Sequence, residues 1–168
     1  MSKKDKESLP PWRFSTSSIV EAILSLISKN PKQDRYLMNT KKSDKEIIGR
    51  KVLVDDIDYP LRKLYIAEND LAIFDVLKFT LDAIDKIFWV KVDDDNFIKK
   101  TVGIASVFKF LKSVLLKDGV SLDTMKNKFP QYLKKIKENE DFSDSEEFPS
   151  STKGLTKAYK KMMELTGL

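Results

Sequence analysis

The chain has 168 residues, 41% hydrophobic and 34% charged, with no Cys and no His. That length fits one domain, and the two zeros exclude disulfides, thiolate nucleophiles, Fe–S ligation, imidazole bases and the usual zinc ligand sets. The net charge of +5, from 31 Lys+Arg against 26 Asp+Glu, leaves carboxylate, Lys, hydroxyl and phenol chemistry.

Residues 1–14 are polar up to Pro10-Pro11-Trp12 and read as a flexible tail rather than a signal peptide, since no apolar run follows Lys3 and Lys4. Ile19, Ala22, Ile23, Leu26 and Ile27 then recur at helical spacing behind Thr16 or Ser17 as N-cap. Asn30-Pro31 ends that predicted helix. The hydroxyl cluster at its start suits capping, with phosphate binding as the alternative. Residues 31–59 read as the least regular stretch. It holds a solvated loop over 41–46, a short strand or apolar anchor at Val52-Leu53-Val54, and an acidic knot of Asp55, Asp56 and Asp58 that suits solvent better than a cation. Leu61, Leu64 and Tyr65 predict a short helix after Pro60.

Asn69 is a good N-cap for the strongest helix, predicted over 70–89. Ile73, Phe74, Leu77, Leu81, Ile84 and Phe88 step by three or four, and Val76, Phe79, Ala83 and Ile87 widen the stripe, so this helix is expected at the centre. Asp75, Asp82, Asp85 and Lys86 take its other face. Asp93-Asp94-Asp95-Asn96 invites a calcium loop, but the fifth, sixth and twelfth positions are Phe97, Ile98 and Ile104 instead of an oxygen ligand, Gly and Glu. A plain loop is expected there.

Thr101 opens a helix with Val102, Ile104, Val107, Phe108, Leu111, Val114 and Leu115 inward. Gly103 in its first turn permits close backbone packing, and Gly119 stops it. Ser121 to Thr124 begin the next helix, with Met125, Phe129, Leu133 and Ile136 as its stripe. Pro130 is expected to kink or break it near Phe129. Residues 139–149 read as an acidic loop. Ser150-Ser151-Thr152 cap a last helix with Leu155, Ala158, Tyr159, Met162 and Met163 inward, ended by Gly167. The fold class is therefore all-α: one helical domain over 15–168 of about five main helices, with an optional short strand or irregular segment near 50–54.

Positive charge concentrates in residues 101–140, which carry eight Lys against four acids. Lys109, Lys112, Lys126, Lys128, Lys134 and Lys135 are the candidate nucleic-acid contacts, in competition with an ordinary Lys-rich surface. Arg, the usual reader of base edges, occurs only at 13, 35, 50 and 62. There is no G-x-x-x-x-G-K-[ST], no G-x-G-x-x-G and no G-x-S-x-G. No catalytic residue, metal ligand or cofactor site is assigned. The scattered carboxylates suit solubility better than a glycosidase pair. No stretch approaches the ~20 apolar residues of a membrane span, so no membrane partner and a cytoplasmic setting are expected. No pattern encodes an oligomeric state.

Two segments go beyond composition. Lys100-Thr101-Val102-Gly103-Ile104-Ala105-Ser106-Val107-Phe108-Lys109-Phe110-Leu111 resembles a K-T-V-G-x-x-A/S-x-x-x-L helix late in DGQHR-domain proteins, and Phe148-Pro149-Ser150-Ser151-Thr152-Lys153-Gly154-Leu155 resembles their closing F-P-S segment. Phe14 to Val20 is similar to a Ser/Thr-rich helix start in the same region. The resemblance runs from about residue 12 to 168. It implies bacterial proteins of DNA-phosphorothioation and phage-defence clusters, whose front half has a ParB/sulfiredoxin-like fold bearing an Asp-Gly-Gln-His-Arg signature. A chain without His lacks that signature, so only the helical back half is matched and no signature residue carries over. What the resemblance implies is a non-catalytic accessory domain with a protein partner, and DNA as the alternative partner.

Overall fold

The computed structural model describes residues 15–39 and 49–168. The expected tail 1–14 and loop 41–46 lie outside them. The described residues form seven α-helices and no strand, so the all-α expectation holds.

Helix α1 spans Thr16–Leu24. Its N-cap is Ser15, one residue before the expected pair, with the hydroxyl accepting from the Ser18 N–H at 3.2 Å. The chain leaves the helix after Leu24, yet Leu26 and Ile27 stay buried in the following turn. Asn30-Pro31, expected to end this helix, instead starts the next one. Asn30 Oδ1 accepts from the Gln33 N–H at 3.1 Å, and Pro31 opens α2, Pro31–Asn39. Proline suits a first helical position, where its missing N–H would have had no intrahelical partner. The stretch read as irregular therefore begins with a helix. A 3-10 turn covers Gly49–Val52, and Leu53 is buried behind it. Val52-Leu53-Val54 is an anchor and not a strand.

Helix α3 is short, Arg62–Ile66. Helix α4 spans Asp70–Ala83, capped by Asn69 through Ala72 N–H at 3.2 Å, and runs on through a π turn at Ile84–Phe88. Helix α5 spans Thr101–Asp118 and ends at Gly119, whose φ of 80° lies in the region glycine favours. Helix α6, Phe129–Asn139, follows a π turn at Thr124–Lys128. The expected disturbance at Pro130 takes that form. Its ring crowds the carbonyl four residues back and it donates no hydrogen bond. The ladder widens, with the Phe129 N–H reaching Thr124 O, and the helix is not broken. Helix α7 spans Thr152–Thr166, and Gly167 closes it in the left-handed conformation.

The centre of the core is α5 rather than α4. Ile104, Val107, Phe108, Phe110, Leu111, Val114 and Leu115 are each at most 2% exposed. The helix packs against α7, α1 and the 3-10 turn at Phe97–Lys99. Gly103 makes the approach of α5 to that turn possible, and Gly154 does the same for α7 against Pro149. A Cβ on Gly103 would come within 2.6 Å of the Ile98 backbone, and one on Gly154 within 2.9 Å of the Pro149 carbonyl carbon. Each starts a helix pressed onto the segment just before it. The 139–149 region is irregular as expected, but it buries Phe142 and Phe148 against each other and against Phe88 and Phe97, with ring centroids 4.9–6.5 Å apart.

Candidate functional site

The six candidate lysines fall into different settings. Lys109 and Lys112, one helical turn apart on α5, face a groove between α1, α5 and α7. Lys109 Nζ lies 4.5 Å from the Tyr159 ring centroid, and Lys112 Nζ lies 3.8 Å from that of Tyr59. Lys126 sits 5.0 Å from the Phe79 ring on α4. Lys128 binds Asp118 at 3.2 Å, beside Tyr132, whose hydroxyl donates to the same carboxylate at 3.0 Å. Burial, and then that bond to the charged Asp118, raise the Tyr132 pKa. Only Lys134 and Lys135 stand exposed on α6 without such a contact among the described residues. A neighbour in the same basic run, Lys137, donates to Ile87 O at 2.9 Å and also to Val90 O, closing the end of α4. Burial and the nearby Lys91 and Lys99 lower its pKa. Much of the lysine run is thus engaged with aromatic rings, a carboxylate or carbonyl oxygens.

The groove has a volume of about 450 Å³ and is lined by Ser18, Glu21, Ala22 and Ser25 of α1, Thr101, Ala105, Lys109 and Lys112 of α5, and Leu155 of α7. That is the size range of small-molecule sites.

A different surface lies on α4. Leu71 is 72% exposed, Phe74 59% and Leu81 40%. These residues, with Lys78 between them, step by three, four and three and share one face. The buried residues Ile73, Val76, Thr80, Ala83, Ile84 and Phe88 occupy the other. Phe74 and Leu81, expected inward, point out. One helix turns only a limited arc to the core, and the apolar residues of α4 span more than that arc. Wheel angles at ~100° per residue separate the two stripes, which spacings of three or four taken one at a time do not. Lys78 crosses the outer stripe and pairs with Asp82 at 2.9 Å.

Near the α1–α2 turn, Arg62 grips Asp34 with both terminal nitrogens, one at 3.1 Å, while its Nε donates to Val54 O at 2.9 Å. Burial pulls the Asp34 carboxyl upward, but hydrogen bonds from Arg62 and Ser28 and the Arg62 charge outweigh it, so the pKa is lowered overall. This pair joins three segments and is structural. The acidic residues Asp55, Asp56 and Asp58 and the 93–95 run gather no third ligand: among the described residues no group of three could hold a metal ion. Among those residues no helix is long and apolar enough to cross a membrane.

Comparison with protein-family models, curated proteins and solved structures finds no match for this chain.

Proposed function

We propose that the chain is a non-catalytic helical interaction domain of the kind that forms the C-terminal part of DGQHR-type proteins, acting in the bacterial cytoplasm in DNA modification or phage defence. Its partner on this reading is a protein bearing the signature half. The observation that carries the interaction role is the outer stripe of α4. Leu71, Phe74 and Leu81 form an aligned apolar face on a helix already anchored by its opposite side. Contiguous exposed apolar residues of this kind mark association surfaces more often than scattered ones do. The family assignment rests on the two resembling segments. Gly103 and Gly154, one in each, both sit where a helix start presses on preceding backbone.

The test is co-purification with the signature-bearing protein encoded in the same gene neighbourhood. A stable complex that is lost in a Leu71→Asp/Phe74→Asp double variant supports the reading. An unrelated neighbourhood, or no complex, contradicts it. The alternative, duplex-DNA binding through the 101–140 lysines, is weakened by how many of them are engaged elsewhere. It requires a steep salt dependence and a loss of affinity when Lys126, Lys128, Lys134 and Lys135 are changed to Glu.

A further inference from the structure

We propose that two copies of this chain pair through α4, antiparallel, each covering the other's outer stripe. The core takes Ile73, Val76, Thr80, Ala83 and Ile84, which isolates Leu71, Phe74, Lys78 and Leu81 as an outward set. Their spacings of three, four and three read the same from either end. They are also the alternating seam positions of a coiled coil over two heptads. A symmetric pair needs such a self-complementary patch, since the same surface serves both copies. With the two-fold axis at the level of Val76, Leu71 of one copy lies level with Leu81 of the other, and Phe74 with Lys78. The protein partner proposed above would have to displace the second copy, and only that consequence rests on the proposed function.

Lys78 selects the direction. In a parallel pair the two Lys78 ammonium groups would face each other across the seam, which like charge disfavours. In the antiparallel pair the Lys78 stem lies over the Phe74 ring of the second copy, and cation–π attraction adds to the apolar contact. Asp75 and Asp82 border one edge of the stripe. Lys78 holds Asp82 at 2.9 Å, and Lys86 lies 4.0 Å from the same carboxylate. Pairing brings Lys78 of one copy level with Asp75 of the other, so two lysines and two acids from each copy balance along that edge. Leu77, only partly covered by the core, borders the other edge and extends the apolar contact. A few apolar side chains over two heptads make a small interface, so the pair is weak, with a Kd on the order of 0.1 mM.

The experiment uses the full chain alone, which keeps it independent of co-purification with the signature-bearing protein. Sedimentation equilibrium is run from about tenfold below to about tenfold above that Kd. The average mass is expected to climb from monomer toward dimer in the parent chain and in Val20→Asp, a control at an exposed apolar residue of α1. It should stay at the monomer value in Leu71→Asp/Phe74→Asp, with unchanged circular dichroism verifying the fold. The chain has no Cys, so introduced cysteines read the direction. An equal mixture of Leu71→Cys and Leu81→Cys is oxidised, digested and mapped. The antiparallel pair predicts links between positions 71 and 81 in excess of the random share. Links between two positions 71 should be depleted, because these lie about 15 Å apart along the helices, beyond the roughly 7 Å between Cα atoms that a disulfide spans. Three outcomes overturn the proposal: a monomer at every concentration, an undiminished mass rise in Leu71→Asp/Phe74→Asp, or links between two positions 71 at or above the random share.

Discussion

Asp34 and Arg62 show how single residues hold distant segments. The carboxylate on α2 and the guanidinium on α3 are both under a tenth exposed and bind each other through two bonds. Asp34→Ala leaves the guanidinium partly buried without its partner, and the expected cost is about 3 kcal/mol, read from urea denaturation. The pair also sets an acid limit. Asp34 has a folded pKa below its unfolded value, so its contribution is present above about pH 3.9 and is lost as pH falls through the lower folded value. Stability measured down a pH series should therefore fall less steeply over that acid range in Asp34→Asn than in the parent chain. An identical slope would show that the pair does not carry the acid response. The glycines are the second residue-scale device. Gly103→Ala and Gly154→Ala each place a methyl group against fixed backbone, and each should cost about 2–3 kcal/mol. An ordinary helix-interior Gly→Ala change would instead stabilise by up to roughly 1 kcal/mol.

At the scale of elements, caps and stops were legible because they depend on local chemistry. Asn69, Gly119 and Gly167 act where the sequence placed them. Pro130 disturbed its helix as expected, but whether the ladder breaks or widens depends on the Thr124 carbonyl found by the Phe129 N–H, which no propensity encodes. Pro31 was misread as an end because a proline that closes one helix and a proline that opens the next look alike until the following turn is placed. Which side of α4 is buried was also hidden. Its apolar residues cover too wide an arc, and tertiary contact alone decides between Ile73 and Phe74. Aspartate at Phe74, being exposed, should change stability by less than about 0.5 kcal/mol, while the same change at Val76 should unfold much of the chain. Lys137→Met tests the cap on α4. Losing its bonds to Ile87 O and Val90 O should cost about 1 kcal/mol, with faster amide exchange over the π turn at Ile84–Phe88.

For the whole molecule, composition excluded much chemistry but could not locate a site, because lysines are placed by partners far apart in sequence. Lys112 meets Tyr59, Lys109 meets Tyr159, and Lys126 meets Phe79. A run of charge in 101–140 becomes several separate arrangements once α4, α5, α6 and α7 are packed. The buried phenylalanines of 140–148 were hidden for the converse reason: the acids around them dominate the local pattern, and Phe88 and Phe97 supply the burial. Among the described residues, the surface carries the apolar stripe of Leu71, Phe74 and Leu81 on α4. The stripe carries the central claim. Titration calorimetry of the purified chain against the signature-bearing protein, with Leu71→Asp/Phe74→Asp as the paired variant, tests it most directly. The interaction-domain reading requires saturable binding in the parent chain and none in the variant at unchanged thermal stability. Equal binding by both, or association of the chain only with itself, would contradict it.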